Sequence, residues 1–325
     1  MVSVKLVAIL PPSERLVAQT AMLQAVFGGH EAVVVTSVAD LEPHLPTVEV
    51  LVSTPFTPIT EAMLAAAPKL RFLQVAGVGV DHVDLDAARR LGITVANVAG
   101  ANAVSVAEHV VMAILALMRG LVAAHEAMRA GDWPLPRWMA TARDLAGRTV
   151  GIVGMGRIGR EVATRLLPFG VALLYHDVRR LSAPDEDALG VTYASLDDLL
   201  ASSDVVTLHL PLTPETRNLL DRERLGRMKP GALLVNTARA ELVDEAALVE
   251  ALASGRLGGA AIDVFAPEPP PPDHPLRRLP NVLLTPHGAG VTAEAQERIA
   301  QGALTNVLRF LDGHPLADVV VEGHR

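Results

Sequence analysis

Two kinds of segment alternate along this chain. Short runs of apolar, often β-branched residues are separated by longer stretches in which apolar residues recur every three or four positions. The first kind reads as strand and the second as helix. In the first hundred residues VKLVAIL, from Val4 to Leu10, is a strand and SERLVAQTAMLQAVF is a helix. EAVVVTS, VEVLVST and LRFLQVAG follow as strands, DLDAARRLG as a helix, and ITVANV as the closing strand near residue 98. A long helical segment is expected from Ala103 to Gly131, with Asn102 or Ser105 as its cap and Gly131 as its stop. A second series starts at Thr149. TVGIVGMG is a strand entering a glycine turn, RIGREVATRLLPFG a helix, and VALLYHD a strand. LDDLLASS with DVVTLHL, RERLGRMK with ALLVNTA, and DEAALVEALASG with LGGAAIDV repeat the unit. Strand–helix alternation implies parallel sheets with crossover helices. The near-continuous apolar strands imply sheets covered on both faces. The fold class is therefore α/β. One stretch, APEPPPPDHP (266–275), is too rich in proline for a helix or a central strand.

Composition narrows the function. A length of 325 residues suits two domains or one large one. Half the residues are hydrophobic and a fifth charged, enough for a large core. The net charge of −8 gives no basic signature for nucleic acid. The absence of cysteine removes disulfides, thiolate nucleophiles and cysteine zinc sites. No spacing of His, Asp and Glu resembles a metal site. The longest apolar run, VVMAILALM (110–118), follows Glu108 and His109 and is too short to span a bilayer, so it reads as a core or interface helix. The opening MVSVKLVAILPPSERL lacks a basic region before a longer apolar one and reads as a first strand rather than a signal peptide. The expectation is a cytoplasmic protein with no membrane partner.

The first chemistry lies at GIVGMGRIGR (151–160), where Gly154, Gly156 and Gly159 have G-x-G-x-x-G spacing. Alone that spacing is weak. Here an apolar strand precedes it, a helix follows, and the next strand ends at Asp177, 177 − 154 = 23 residues after the first glycine. Those are the conditions for a dinucleotide site. Gly154 permits the tight turn, Gly156 lets a pyrophosphate approach the backbone, and Gly159 lets helix and strand pack closely. The helix N-terminus offers amide N–H groups to the phosphates. Asp177 is placed to accept from the ribose hydroxyls, and a carboxylate ~4 Å from a 2′-phosphate costs ~4 kcal/mol per charge pair at an effective dielectric near 20. NAD is therefore expected. Arg179 and Arg180 keep NADP open.

From here the chain resembles the D-isomer-specific 2-hydroxyacid dehydrogenases, over nearly its whole length. VAGVGVDHVDLDAA (75–88), NAVSVAEHVVMAILALMR (102–119), the long segment 208–270 containing NTARAELVDEAAL and GAAIDVFAPEPP, and TPHGAG (285–290) carry the similarity. The resemblance implies two doubly wound, Rossmann-like domains with the active site in the cleft between them. Residues 1–99 plus 289–325 would form a substrate-binding outer domain, and 100–288 an NAD-binding domain that includes the interdomain and dimer helix 103–130. It further implies site residues. Arg239 would bind the substrate carboxylate and carbonyl oxygen, Glu268 would pair with His287, and His287 would move the proton. The backbone of Val78 and Gly79 would hold the carboxylate, and Asp263 would lie near the nicotinamide carboxamide. Arg157, Ile158, Leu210, Pro211, Thr216, Thr237, Ala238 and His287 would complete the cofactor contacts. The family usually has glycine after the arginine, where this chain has Ala240.

These residue types suit the reduction of a 2-oxo acid by a nicotinamide. A planar guanidinium matches a carboxylate bidentately and stays charged. An imidazole takes and gives a proton near neutrality, and a carboxylate beside it favours its charged form and sets its tautomer. The implied reaction is NAD(P)H-dependent reduction of a glyoxylate-, hydroxypyruvate- or pyruvate-type acid to the D-2-hydroxy acid, and its reverse. Two alternatives stand beside it. GANAVSVAEHVVM, AHEAMRAGDW and PPPPDHPLRRLPN resemble the formate dehydrogenase branch, in which Asn102 would bind formate. That branch carries glutamine where this chain has Glu268, and Ser-Gly where this chain has Ala-Gly. The second alternative is an NADH-sensing corepressor, which keeps the same Arg, Glu and His. The remaining candidates read more plainly. His109 is packed or at an interface, His209 is structural or near the cofactor, and Asp81 and Asp84 cap a helix. Phe56, Trp133, Trp138 and Met139 are the weak candidates for a substrate-side lining. The expected partners are a small-molecule acid and a second copy of the chain.

Overall fold

The computed structural model of the chain describes residues 3–10, 21 and 23–324. Most of the expected helix SERLVAQTAMLQAVF lies outside the described residues. The chain divides into two compact units, Met1–Asn102 with Thr292–Arg325, and Ala103–Val291.

In the first unit β1 (Lys5–Ile9), β2 (Glu31–Val35), β3 (Val50–Ser53), β4 (Phe72–Val75) and β5 (Thr94–Ala96) are parallel, in the order β5-β4-β3-β1-β2. In the second, β6 (Thr149–Val153), β7 (Ala172–His176), β8 (Val191–Tyr193), β9 (Val205–Leu208), β10 (Leu233–Asn236), β11 (Gly259–Ile262) and β12 (Val282–Leu284) are also parallel, in the order β12-β11-β10-β9-β6-β7-β8. Both are doubly wound α/β sheets. In the second the order reverses between β6 and β9, and ligands of such sheets bind at the carboxyl ends of the strands flanking that point.

The chain's end returns to the first sheet. Thr292 caps the helix Ala293–Leu311 by accepting from the Ala295 amide, and β13 (Val319–Val321) pairs antiparallel with β5. A polar lock ties helix to sheet. Buried Asn306 donates to Gln74 Oε1 on β4 at 3.0 Å and to the Ala317 carbonyl at 2.9 Å, and accepts from the Ala317 amide. Two buried amides satisfying each other and the backbone avoid the cost of orphaned polar groups.

Elsewhere the elements follow local rules. Thr60, Asp84, Ser182, Ser195, Asp221 and Asp244 each accept a backbone amide at a helix start. Of the two acids considered as caps of DLDAARR, it is Asp84 that caps, at 2.8 Å from the Ala87 amide. The expected helix Ala103–Gly131 is two helices, Ala103–Arg119 and Leu121–Arg129, bent by 63°. Gly120 sits between them with φ +57°, a left-handed conformation that glycine adopts without strain. Ser105 is buried inside the first helix rather than at its cap, and Asn102 Oδ1 has no hydrogen-bond partner among the described residues. Buried Ala103, Val106, Ala107, Val110, Ala113, Ile114 and Met118 form one face of that helix at helical spacing, packed on the second sheet's core. Its other side leaves Met112 half-exposed, beside an open apolar groove of about 600 Å³ lined by Val111, Leu115, Ala116, Leu121 and Trp138. Among the described residues no single helix is long and apolar enough to cross a membrane.

Candidate active site

The glycine turn sits at the end of β6, at the switch point. Its three glycines are required for different reasons. Gly154 has φ +97°, and a Cβ there would lie 2.6 Å from the His209 carbonyl oxygen at the end of β9. A Cβ on Gly159 would lie 2.1 Å from the Gly154 carbonyl oxygen. Neither position admits a side chain. Gly156 differs, because a Cβ there would meet nothing within 4 Å. The fold makes no steric demand for glycine at 156, and the space beside it is what a pyrophosphate needs. Gly156 precedes the helix Arg157–Leu166, which no side chain caps, so Arg157 and Ile158 open a helix N-terminus suited to an anion.

Asp177 follows β7 and closes the turn. Its carboxylate accepts from the Met155 amide at 2.7 Å and from the Arg179 amide at 3.0 Å. An ionised carboxylate has about four acceptor sites, so capacity remains for ribose hydroxyls. The two arginines that keep NADP open are unequal. Arg179 is exposed, whereas Arg180 is bound bidentately to Glu186 at 2.9 and 3.1 Å. Desolvation lowers the pKa of His209 to about 3, which favours its neutral ring, and Nε2 lies 3.0 Å from Thr207 Oγ1.

The remaining cofactor-side residues follow β9 and β10. Leu210 and Pro211 enter a turn that Thr216 folds by donating to the Pro211 carbonyl at 2.8 Å and accepting from the Thr213 amide at 2.7 Å. Thr237 Oγ1 is buried with no partner among the described residues. Buried Asn236, which closes β10, shapes the loop that follows. Its Oδ1 accepts from the Ala238 amide at 3.0 Å and its Nδ2 donates to the Arg239 carbonyl at 2.8 Å. Sequence reasoning passed over Asn236, although a polar residue ending an apolar strand was the available signal. Arg239 Nη1 donates to the Ala238 carbonyl at 2.7 Å. Ala240, in place of the family's usual glycine, opens the 3-10 turn Ala240–Leu242, whose right-handed backbone alanine adopts freely.

The histidine loop is organised by Asp263, at the end of β11 and 1% exposed. Its Oδ1 accepts from the Gly288 amide at 2.8 Å and from Thr285 Oγ1 at 2.5 Å, its Oδ2 from the Ala289 amide at 2.9 Å, and its carbonyl from the His287 amide at 2.8 Å. Asp263 therefore holds three successive amides, and with them His287 at φ +52°. A left-handed conformation is unfavourable for a non-glycine residue and persists where its surroundings over-determine it. The resemblance implies a place near the nicotinamide for Asp263, while the observed bonds of its carboxylate go to this loop. Thr285, donating to Asp263, accepts in turn from His109 Nε2 at 3.3 Å. His109 thus has a specific partner beyond packing, which its position on an apolar helix concealed.

His287 Nδ1 lies 2.7 Å from Glu268 Oε2, each side chain about one-third exposed. The other carboxylate oxygen, Oε1, accepts from the Phe265 amide at 2.9 Å. The 266–275 segment is indeed neither helix nor strand, apart from the start of a short 3-10 turn, Pro275–Arg278.

In the first unit, the Val78–Gly79 loop follows β4. The Ala76 amide donates to Ser53, the Val98 amide to the Gly77 carbonyl at 2.9 Å, and Asn97 Nδ2 to the Val78 carbonyl at 2.6 Å. Gly77 is needed here because a Cβ would lie 2.1 Å from the Pro55 ring. Val78, Gly79 and Asn102 belong to the first unit, while Arg239, Glu268, His287 and all the expected cofactor residues belong to the second. Phe56, Trp133 and Met139 are mostly exposed, and Trp138 donates through Nε1 to the Arg119 carbonyl. No group of three or more His, Cys, Asp or Glu is placed to hold a metal among the described residues.

Known proteins share this chain's sequence pattern and fold. The family model for the NAD binding domain of D-isomer specific 2-hydroxyacid dehydrogenases matches residues 111–289. The chain is 42% identical over 277 residues to a chloroplastic/mitochondrial formate dehydrogenase of Arabidopsis thaliana, covering 84% of this chain and 72% of that one. It is 43% identical over 257 residues to a glyoxylate reductase of Thermofilum pendens, covering 78% and 76%. Its fold is similar to that of the NAD-dependent formate dehydrogenase from Staphylococcus aureus, solved in complex with NAD. The TM-score there is 0.88 at 40% identity, over 98% of this chain and 100% of that one. A match spanning more than half the chain, on a sheet whose strand order and glycine turn make a dinucleotide site, shows that this protein belongs to the D-isomer specific 2-hydroxyacid dehydrogenase family and is an NAD-dependent oxidoreductase.

Proposed function

We propose that the enzyme reduces a small 2-oxo acid of the glyoxylate, hydroxypyruvate or pyruvate type to the D-2-hydroxy acid, and catalyses the reverse. The Glu268–His287 pair carries this reading. Both glutamate oxygens accept, one from Phe265 and one from Nδ1 of the histidine. An ionised carboxylate has no proton to donate, so Nδ1 is the protonated nitrogen and Nε2 is the one that gains or loses the proton. The nicotinamide cofactor, when bound, would supply the hydride as NADH or take it up as NAD⁺. On reduction, His287 Nε2 gives its proton to the substrate oxygen, and Glu268 stabilises the imidazolium beforehand. Arg239 grips the substrate carboxylate and offsets negative charge growing on the carbonyl oxygen. The Val78 and Gly79 amides are proposed as a further carboxylate-binding pair.

Formate oxidation is the second reading. The sequence identity to formate dehydrogenases favours it, and the resemblance to that branch implies a formate-binding role for Asn102. Formate gives up a hydride with no proton to exchange, so that reaction makes no use of a carboxylate fixing Nδ1–H. A glutamine at 268 would instead donate to Nδ1 and hold the ring neutral. The test follows NADH at 340 nm, with a panel of 2-oxo acids in one direction and formate in the other. Turnover of at least one 2-oxo acid with little formate oxidation is expected. Formate activity alone reverses the assignment, and binding of NADH without turnover favours the corepressor-like alternative. Glu268→Gln should lower kcat/KM for reduction by roughly 10- to 100-fold, because a side-chain amide in place of the carboxylate no longer accepts from Nδ1. An unchanged kcat/KM would remove the pair from the mechanism.

We also propose that the groove beside Met112 seats a second copy of the chain. Light scattering should then report twice the 34.3 kDa of one chain, and Met112→Glu should return it to one.

A further inference from the structure

Behind Asp177 lies a buried-edge cluster that the hydride chemistry does not use. Glu186, on the helix Ala183–Leu189, receives the Tyr175 hydroxyl at 2.6 Å and both arms of Arg180 at 2.9 and 3.1 Å. The glutamate side chain is 12% exposed and the arginine 64%. The Arg180 guanidinium also lies over the Tyr193 ring at 5.3 Å, and the Leu181 amide donates to Tyr175 at 2.9 Å. Hydrogen bonds from Arg180 and Tyr175 hold the Glu186 carboxyl below its usual range, and Glu186 raises Arg180. The result is a cation three residues beyond the ribose-side carboxylate, engaged through Nε and Nη2 by one acid and covered on its face by one ring.

A free arginine at this place in the loop is the group that would meet a 2′-phosphate. We propose that Glu186 is a specificity-positioning residue: by engaging Arg180, it keeps that guanidinium from a 2′-phosphate and reinforces the preference for NAD set by Asp177. Selection against NADP would then have two parts, repulsion by the Asp177 carboxylate and withdrawal of Arg180, with the exposed Arg179 left to oppose them. The inference concerns only the adenosine end of the cofactor and stands whichever substrate the enzyme takes.

The test compares Glu186→Gln, Arg180→Ala and the double variant, using calorimetric binding of 2′,5′-ADP and 5′-ADP to the full chain. Glu186→Gln should tighten 2′,5′-ADP by about three- to fivefold, the upper range of an exposed ion pair, and leave 5′-ADP within about twofold. Arg180→Ala alone should change 2′,5′-ADP little, since the cation is already withdrawn. The double variant should lose the gain, because the gain requires Arg180. A gain that survives in the double variant would mean that Glu186 acts only through its own charge, and would overturn the proposal. So would equal changes for the two nucleotides. Thermal unfolding of each variant checks that the cluster still folds. If Glu186→Gln unfolds, Glu186→Asp, whose shorter arm breaks the two-point contact while keeping the charge, should produce a smaller gain of the same kind, and no gain would overturn the proposal.

Discussion

His287→Ala should lose on the order of 10²- to 10⁴-fold in kcat/KM for reduction of a 2-oxo acid, the span of a positioned general acid. The loss should fall on kcat, since the proton is needed only as charge builds on the substrate oxygen. The fold should tolerate the change. Asp263 takes its bonds from the backbone amides at 287–289 and from Thr285, none of which involves the imidazole. Alanine meets much the same left-handed penalty as histidine at φ +52°, so the unfolding temperature should move little. NAD binding, read by quenching of protein fluorescence or by calorimetry, should persist. A variant that keeps its cofactor and turns over at near-wild-type rate would refute the assignment of His287 as proton carrier. The same variant also bears on formate oxidation, where no proton is exchanged and a loss would have to come from positioning.

Arg239→Gln should cost on the order of 10²- to 10³-fold in kcat/KM, as expected when a charged donor facing a developing oxyanion is replaced by a neutral one. KM should rise as well, because the same guanidinium grips the carboxylate in the ground state. Arg239→Lys should recover only part of the loss, since an ammonium cannot form the planar two-point contact. Asn236 offers an internal comparison. Its amide fixes the Ala238 amide and the Arg239 carbonyl, so Asn236→Ala should loosen the loop and give a weaker version of the same defect with the guanidinium present. Steady-state kinetics on a single 2-oxo acid, with KM and kcat resolved, checks all three. If Arg239→Gln raised neither KM nor the barrier, the carboxylate would have to be held elsewhere.

The two proposed readings of the substrate differ in the use they make of Glu268. Overall identity weights this chain toward proteins named as formate dehydrogenases. A single side chain weighs against that, because whether position 268 donates to Nδ1 or accepts from it changes which proton the imidazole can move. Whole-chain similarity averages over hundreds of positions that shape the sheets, whereas the choice of reaction rests on a few hydrogen bonds.

Much of this was legible along the chain. Apolar runs marked the main strands, Asp84 marked the start of the helix it caps, and glycine spacing with Asp177 at the following strand end marked the dinucleotide turn. Each is a short-range pattern, set by the backbone period or by a side chain reaching its own helix, so it survives in one dimension. The short strands β8, β12 and β13 were not legible, since three residues carry too little periodicity. The break at Gly120 was hidden because the apolar pattern runs on through it. What tertiary structure alone decided is which distant groups meet. Asn306 bonds Gln74 across 232 positions, Thr285 bridges Asp263 and His109, and the Glu268 carboxylate reaches His287 across 19. Such contacts depend on strand order and crossover geometry. A residue type by itself, such as a histidine in a Pro-Gly loop, is therefore only a candidate until the fold supplies its partner.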